Sequence, residues 1–284
     1  MRVQGEKQQF GVRLGRLTPW LFGRSSPCNA TGLLLVSGVD IFPAGVFAMN
    51  FKNQTAIISG ATGALGSVLA RHFASLGARV AVPVSSQTSL QKIAALGIPE
   101  EQLFAAPADL TLEGPTETFV EQAVQKFGSI NILVNAAGGY AGGKEVASTG
   151  LSDLEGMLSI NLKTVYNLTR LVLPRMKAAG YGRIVSIASM PAVTPSAGSG
   201  PYAIAKRGVI TLTETIAQEV KGNGVTANAI AISILDTDAN RTAMPSADHS
   251  KWVSTGEVAL LVAMVCSREL PSMSGNTIRV YGNV

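Results

Sequence analysis

Charge is scarce in this 284-residue chain. Asp, Glu, Lys and Arg together make up 14% of it, against roughly 25% in typical soluble domains. A disordered tail or a coiled coil needs far more. Cysteine is nearly absent: Cys28 and Cys266 stand far apart, with no CxxC pair. That excludes a disulfide framework and a structural zinc site. It points to free thiols in a reducing compartment, hence a cytoplasmic protein. With His72 and His249 as the only histidines, and neither beside a nucleophile motif, a His-based triad has no support. Long hydrophobic runs are missing too. The apolar stretch Gly32–Val39 is broken by Asp40 and Pro43, too short for a membrane span. No basic cluster or zinc-finger spacing exists for nucleic acid.

What is present is a large apolar fraction, 46%, and 30 glycines. At about 150 residues per domain the length gives one to two domains, and a single α/β domain fits best. Residues 1–48 differ from the rest. They hold five basic and two acidic side chains, more than half of the net charge of +5. Their polar lead is too long for a signal peptide. They read as an N-terminal extension: flexible, an organellar targeting segment, or a stretch before the true start. The domain is expected over 49–284, beginning at Met49.

From there strands and helices alternate. Short apolar runs at Gln54–Ser59, Arg79–Val84, Leu103–Ala106, Ile130–Val134, Gly182–Ser186, Val225–Ile232 and Thr277–Val280 predict strands. Helical spacing marks Ser67–Leu76, Leu90–Leu96, Pro115–Phe127, Leu151–Lys177, Tyr202–Val220 and Glu257–Cys266. The fourth of these helices should kink or break near Pro174. Such alternation implies a mostly parallel sheet with helices on both faces.

Between the first strand and the first helix lies Gly60-Ala61-Thr62-Gly63-Ala64-Leu65-Gly66. Glycines here allow a tight turn and close approach of a pyrophosphate, which the following helix N-terminus attracts. A ligand-free βα turn is the alternative. The second strand ends in Val82-Pro83-Val84-Ser85-Ser86. No acid is present there to bond the adenosine ribose, which weakens the case for NAD. No Arg or Lys adjoins to hold a 2′-phosphate. Ser85 and Ser86 can supply hydroxyls, or simply form a turn.

Ser189 follows the fifth strand. Tyr202 comes 13 residues later and Lys206 four after that. The last spacing puts both on one helix face. A phenol is a poor base near neutrality, but an adjacent ammonium favours its anion. A tyrosine so tuned can exchange a proton with a carbonyl or alcohol oxygen, and a serine hydroxyl can stabilise charge there. A Tyr–Lys pair on a solvated helix face is the plainer reading of those two residues alone.

Together these features resemble the short-chain dehydrogenase/reductase family over essentially all of residues 51–284. Val134-Asn135-Ala136-Ala137-Gly138 is similar to the family's Asn-Asn-Ala-Gly segment. Asp109-Leu110 matches its adenine-contacting pair, and Asn161 its helix asparagine. The resemblance implies a single Rossmann-like, doubly wound parallel sheet. It implies an oxidoreductase that uses NADP or NAD, with NADP slightly favoured, on a small-molecule carbonyl or alcohol. In this reading Ser189 polarises the carbonyl and Tyr202 gives its proton to the alkoxide. Lys206 lowers the Tyr202 pKa and binds the nicotinamide ribose. Asn161 holds a relay water. Cofactor contacts fall to Gly60, Thr62, Gly63, Leu65, Gly66, Ser85, Asp109, Leu110, Asn135, Ala136, Ala137, Gly138, Tyr202, Lys206 and Thr237, the last for the carboxamide. No metal is needed.

Two departures stand out. Ala64 occupies a usual glycine position, with Gly63 before it. Ile232-Ser233 replaces the common Pro-Gly after the sixth strand, which would loosen the nicotinamide-side wall. A dinucleotide-binding or regulatory protein without turnover is therefore the second reading. Substrate loops are expected at Gly139–Gly150, Met190–Gly200 and Asp238–Trp252, the last as a lid. Tyr140 is either a substrate contact or a surface-turn residue. The helices Leu151–Lys177 and Tyr202–Val220 are where family members commonly build dimers and tetramers, so a homodimer or homotetramer is expected. Their alternative role is packing on their own sheet. Binding to nucleic acid or insertion into membrane is not expected.

Overall fold

Short runs of Val, Ile and Ala, each ended by a turn, make the framework of this computed structural model, which describes residues 49–284. The predicted extension over 1–48, Cys28 included, lies outside the described residues. Seven strands form one parallel sheet: β1 (Thr55–Ile58), β2 (Arg79–Val84), β3 (Leu103–Pro107), β4 (Ile132–Asn135), β5 (Gly182–Ser189), β6 (Val225–Ile232) and β9 (Thr277–Val280). Their order is β3-β2-β1-β4-β5-β6-β9. The central strands β1, β4, β5 and β6 are buried along their whole length. That is why they read as continuous apolar runs rather than alternating ones.

Helices cover both faces. On one side α1 (Ala64–Ser75) and α9 (Thr255–Cys266) bury Leu69, Phe73, Val258 and Val262. On the other, α3 (Glu113–Phe127), α5 (Thr164–Ala179) and α7 (Gly200–Glu219) bury Phe119, Leu168, Val172, Met176 and Ile216. A short helix α2 (Gln87–Ala94) follows β2. Its cap is Ser86, whose Oγ accepts the Ser89 N–H at 3.3 Å.

The predicted helix over Leu151–Lys177 differs from expectation. It is α4 (Leu151–Leu158), a π-helical turn at Ser159–Lys163, then α5. Pro174 lies inside α5 without ending it. The irregularity instead falls at Asn161. The proline removes one N–H bond, while buried Leu168, Val172 and Met176 hold the helix against the sheet.

Beyond β6, a two-residue strand β7 (Leu235–Asp236) pairs with β8 (Val253–Ser254), with the short helix α8 (Asp238–Ala243) between them. A short helix α6 (Met190–Val193) follows β5. At the opposite, amino end of the sheet the buried Arg183 guanidinium donates to the carbonyls of Ser267, Gly182 and Gly224. Next to Ser267, Cys266 is wholly buried, and burial pushes its thiol pKa up. Among the described residues no helix is long and apolar enough to cross a membrane.

Candidate active site

The sheet order reverses between β1 and β4, since β1 pairs with both β2 and β4. Ligands in doubly wound sheets occupy the crevice at the carboxyl ends beside such a reversal. The glycine loop follows β1 directly and lies at this place. Gly60 has φ +74, and a Cβ on it would stand 2.8 Å from the Ala136 carbonyl oxygen. At Gly66 a Cβ would run into the Gly60 backbone. Glycine is thus required at both positions. Gly63 is different: its φ is −90 and a Cβ would have 3.4 Å to the Gly60 oxygen. Its role is to cap α1, and Thr62, Gly63 and Ala64 are exposed in the mouth of the loop. Leu65 is buried beneath it.

Ser59 was not anticipated from the sequence. Its Oγ accepts the N–H groups of both Ala136 and Ala137 at 3.1 Å, pinning the turn after β4 against the glycine loop. A serine closing a buried strand carries no distinguishing signal in one sequence. Asn135 is buried and donates to Thr169 Oγ1 at 3.1 Å and Ser186 Oγ at 3.3 Å. Further along the crevice Asp109 is exposed. Its carboxylate accepts from Thr111, which lowers its pKa. The Leu110 carbonyl accepts from Asn167. Ser85 is exposed at the end of β2.

Ser189 ends β5, and Tyr202 and Lys206 share a face of α7. Asn161 reaches them from the π turn. Its amide donates to the Gly139 and Met157 carbonyls at 2.9 and 3.2 Å and accepts the Gly139 N–H at 3.2 Å. Such insertions recur at functional sites. The side chains close on Gly138, where a Cβ would lie 2.5 Å from Asn161 Oδ1 and 3.2 Å from Lys206 Nζ. Ser189 Oγ is buried beside the Tyr202 hydroxyl, and no hydrogen bond of good geometry satisfies it. A buried hydroxyl without a partner awaits an acceptor or donor from outside. Tyr140 packs edge-on to Tyr202, ring centroids 5.0 Å apart.

The expected influence of Lys206 on Tyr202 takes another form here. Burial raises the Tyr202 pKa above its usual 10, and the nearby Ser189 hydroxyl, not the lysine, opposes that. Lys206 Nζ is turned to the Ile187 carbonyl at 2.9 Å, and its own burial lowers its pKa to about 8. Between pH 8 and 10.5 the unfolded chain then binds more protons at this lysine than the folded one does. Stability from this group rises with pH over that window. Above 10 the raised Tyr202 acts in the opposite sense. Wild type should gain stability over Lys206→Met between pH 8 and 10, read from urea midpoints. Parallel profiles would show that Lys206 does not titrate there.

Thr237 is the N-cap of α8, its Oγ1 accepting the Asn240 N–H at 3.2 Å, which leaves its hydroxyl proton free to donate. The wall beside it is bonded to both neighbouring strands. In place of Pro-Gly, Ile232 pairs with Ser189 and Val280, and Ser233 Oγ donates to the Tyr281 carbonyl just past β9. His249 contacts the Met244 carbonyl at 3.0 Å and the Trp252 ring. No group of three potential metal ligands occurs among the described residues.

The short chain dehydrogenase family model matches residues 54–248. This chain belongs to the short-chain dehydrogenase family. As such a dehydrogenase it is an NAD(P)-dependent oxidoreductase. It is 28% identical over 247 residues to 3-oxoacyl-[acyl-carrier-protein] reductase FabG of Escherichia coli, covering 83% of this chain and 99% of that protein. It is 30% identical to nodulation protein G of a Rhizobium strain (81% and 96%). It is 29% identical to D-beta-hydroxybutyrate dehydrogenase of Rhizobium meliloti (72% and 80%). The solved structure of ElxO with NADP bound shares the fold: TM-score 0.76 at 23% identity, over 81% of this chain and 97% of that one. The short-chain dehydrogenase cradle fits a dinucleotide: at Gly60 and Gly66 the backbone packs too closely to admit a Cβ, which holds the loop tight at the α1 N-terminus where a pyrophosphate is attracted.

Proposed function

We propose that this dehydrogenase interconverts a small carbonyl compound and its alcohol, with Tyr202 as general acid and base. The observation that carries this is the convergence of Ser189, Tyr202, Lys206 and Asn161 beside the glycine cradle. The bound nicotinamide supplies or accepts hydride. Ser189 donates its unpartnered hydroxyl to the substrate oxygen, and Tyr202 gives its phenolic proton to that oxygen as charge develops there. Lys206 moves its ammonium from the Ile187 carbonyl toward the nicotinamide ribose and stabilises the tyrosinate. Asn161 fixes the π turn and the relay water behind the lysine. Gly60, Thr62, Gly63, Leu65 and Gly66 hold the pyrophosphate. Asp109, Leu110 and Asn135 to Gly138 line the adenosine and ribose side, and Thr237 donates to the carboxamide. Ser85 faces the adenosine ribose, and with no acid there NADP is preferred over NAD.

The names of the relatives point to a 3-oxoacyl thioester or a 3-hydroxy acid as substrate class. The test is oxidation of NADPH and NADH against a panel holding 3-oxoacyl thioesters, 3-oxobutyrate, and sugar and steroid ketones. Turnover with NADPH supports the reading. Tight nucleotide binding with no turnover across the panel supports a binding or regulatory protein instead.

The enzyme is proposed to be cytoplasmic and to work as a homodimer or homotetramer, residues 1–48 standing outside its catalytic domain. Ile160, Tyr166 and Ile204 are exposed. An open groove of about 790 Å³ lined by Leu158, Leu162, Tyr166 and Leu212 runs between α4, α5 and α7. A second copy would cover it, at a stroke accounting for the shortage of charge. Light scattering should give twice or four times the 29.5 kDa chain mass. A monomer at micromolar concentration would refute it.

A further inference from the structure

The segment between β6 and α9 leaves the carboxyl edge of the sheet where Ser189 and Tyr202 lie, carries Thr237 and α8, and returns through β8. Its two feet are joined to each other. Leu235 pairs with Val253, Asp236 with Ser254, and the Val253 N–H donates to the Ile234 carbonyl at 3.0 Å. α8 is held to the first foot. Arg241 donates to both Asp236 carboxylate oxygens, at 2.6 and 2.9 Å, and the Asn240 amide donates to the Leu235 carbonyl at 2.8 Å. The unit from Leu235 to Ser254 is therefore stiff within itself. Its apolar attachment to the core is at the feet, where Val253 is fully buried and Leu235 packs against the same cluster.

Its polar attachment comes from four residues, Val280–Asn283. The Ser233 N–H donates to the Val280 carbonyl at 3.1 Å, and Ser233 Oγ donates to the Tyr281 carbonyl at 2.8 Å. On the other foot the Asn283 N–H donates to the Lys251 carbonyl at 3.1 Å. Between them Gly282 has φ +62, and a Cβ there would collide with the Lys251 oxygen. One strap thus touches both feet, and its closest approach needs glycine.

We propose that Ser233 and Gly282 are positioning residues that set the height of the Thr237–Trp252 lid over the nucleotide. The proposal rests on the reading of the crevice as the nucleotide site. A proline–glycine pair after β6 would stiffen the wall through its backbone. Here the stiffness comes from a side-chain bond across to the strap. With Val253 and Leu235 anchored in the core, loosening the strap lets the outer part of the unit shift about those two residues, and Thr237 with it. Neither residue touches the reacting atoms, so the effect falls on nucleotide retention rather than on proton transfer.

The experiment compares Ser233→Ala, Ser233→Thr and Gly282→Val with wild type in the full chain. The first readout is amide exchange at Val253, Asn283 and Asn240 in the free enzyme. The second is release of NADPH on mixing the loaded enzyme with excess NADP. Ser233→Ala should speed both by roughly fivefold, the worth of one hydrogen bond. Gly282→Val should do more, and Ser233→Thr should behave as wild type. Unchanged exchange in the alanine and valine variants overturns the strap. Faster exchange with unchanged release overturns its role in positioning. A merely structural role would lower the unfolding midpoint without altering release. If wild type bound no nucleotide, the proposed function would fail, while the exchange comparison would still decide the strap.

Discussion

Replacing Tyr202 with phenylalanine is expected to cut turnover by roughly 10²–10⁴-fold, the usual contribution of a positioned general acid. Nucleotide affinity should stay close to that of wild type. Phenylalanine keeps the ring in its place on α7, including the edge-on contact with Tyr140 at 5.0 Å between centroids. Only the hydroxyl goes. The Ser189 hydroxyl remains, so the substrate oxygen retains one donor and loses its source of a proton. The comparison needs two measurements on the same preparation: steady-state oxidation of reduced nucleotide with a responsive carbonyl, and a fluorescence titration of nucleotide. Undiminished turnover in the variant would remove Tyr202 from the chemistry and leave the Tyr–Lys pair as an ordinary feature of a helix face.

The second large effect is at Gly66. A methyl group there would sit 2.5 Å from the Gly60 carbonyl carbon and 2.8 Å from Ala61 Cα. These neighbours are backbone, so they cannot swing aside. Gly66→Ala must push the loop away from α1, at a cost of about 1–3 kcal/mol by analogy with overpacked cores. The displaced N–H groups would no longer meet a pyrophosphate. Nucleotide affinity should fall at least about tenfold, which is about 1.4 kcal/mol of lost interaction. Gly63→Ala is the control, because its φ of −90 and its 3.4 Å clearance admit a methyl group. Equal binding by the two variants would mean that the loop does not cradle phosphates.

How far the sequence foretold this arrangement differs from element to element. Val225–Ile232 has the predicted bounds, because a strand buried on both faces shows as an unbroken apolar run. The meeting of Ser189 with Tyr202 and Lys206 follows from a strand end and one helix face, both legible in the order of residues. The π turn was not. Asn161 in that turn bonds to the backbone of Gly139, 22 residues away. Local spacing cannot register a contact of that kind. Pro174 misled for the converse reason: its local preference is real, but packing of α5 outweighs it. Ser233 was visible only as a departure. Its bond to Tyr281 spans 48 residues and turns an expected weakness into an attachment.

Cys266, buried at the end of α9 and kept protonated by its surroundings, gives the protein an internal clock. A thiolate is the reactive form, and burial disfavours it while the core is closed. Alkylating reagents therefore reach it through openings of the α9 side of the sheet, at the opening rate when reaction outpaces reclosing and in proportion to the open population when it does not. In a Cys28→Ser background the labelling would report that opening, with no probe added and no residue of the crevice disturbed.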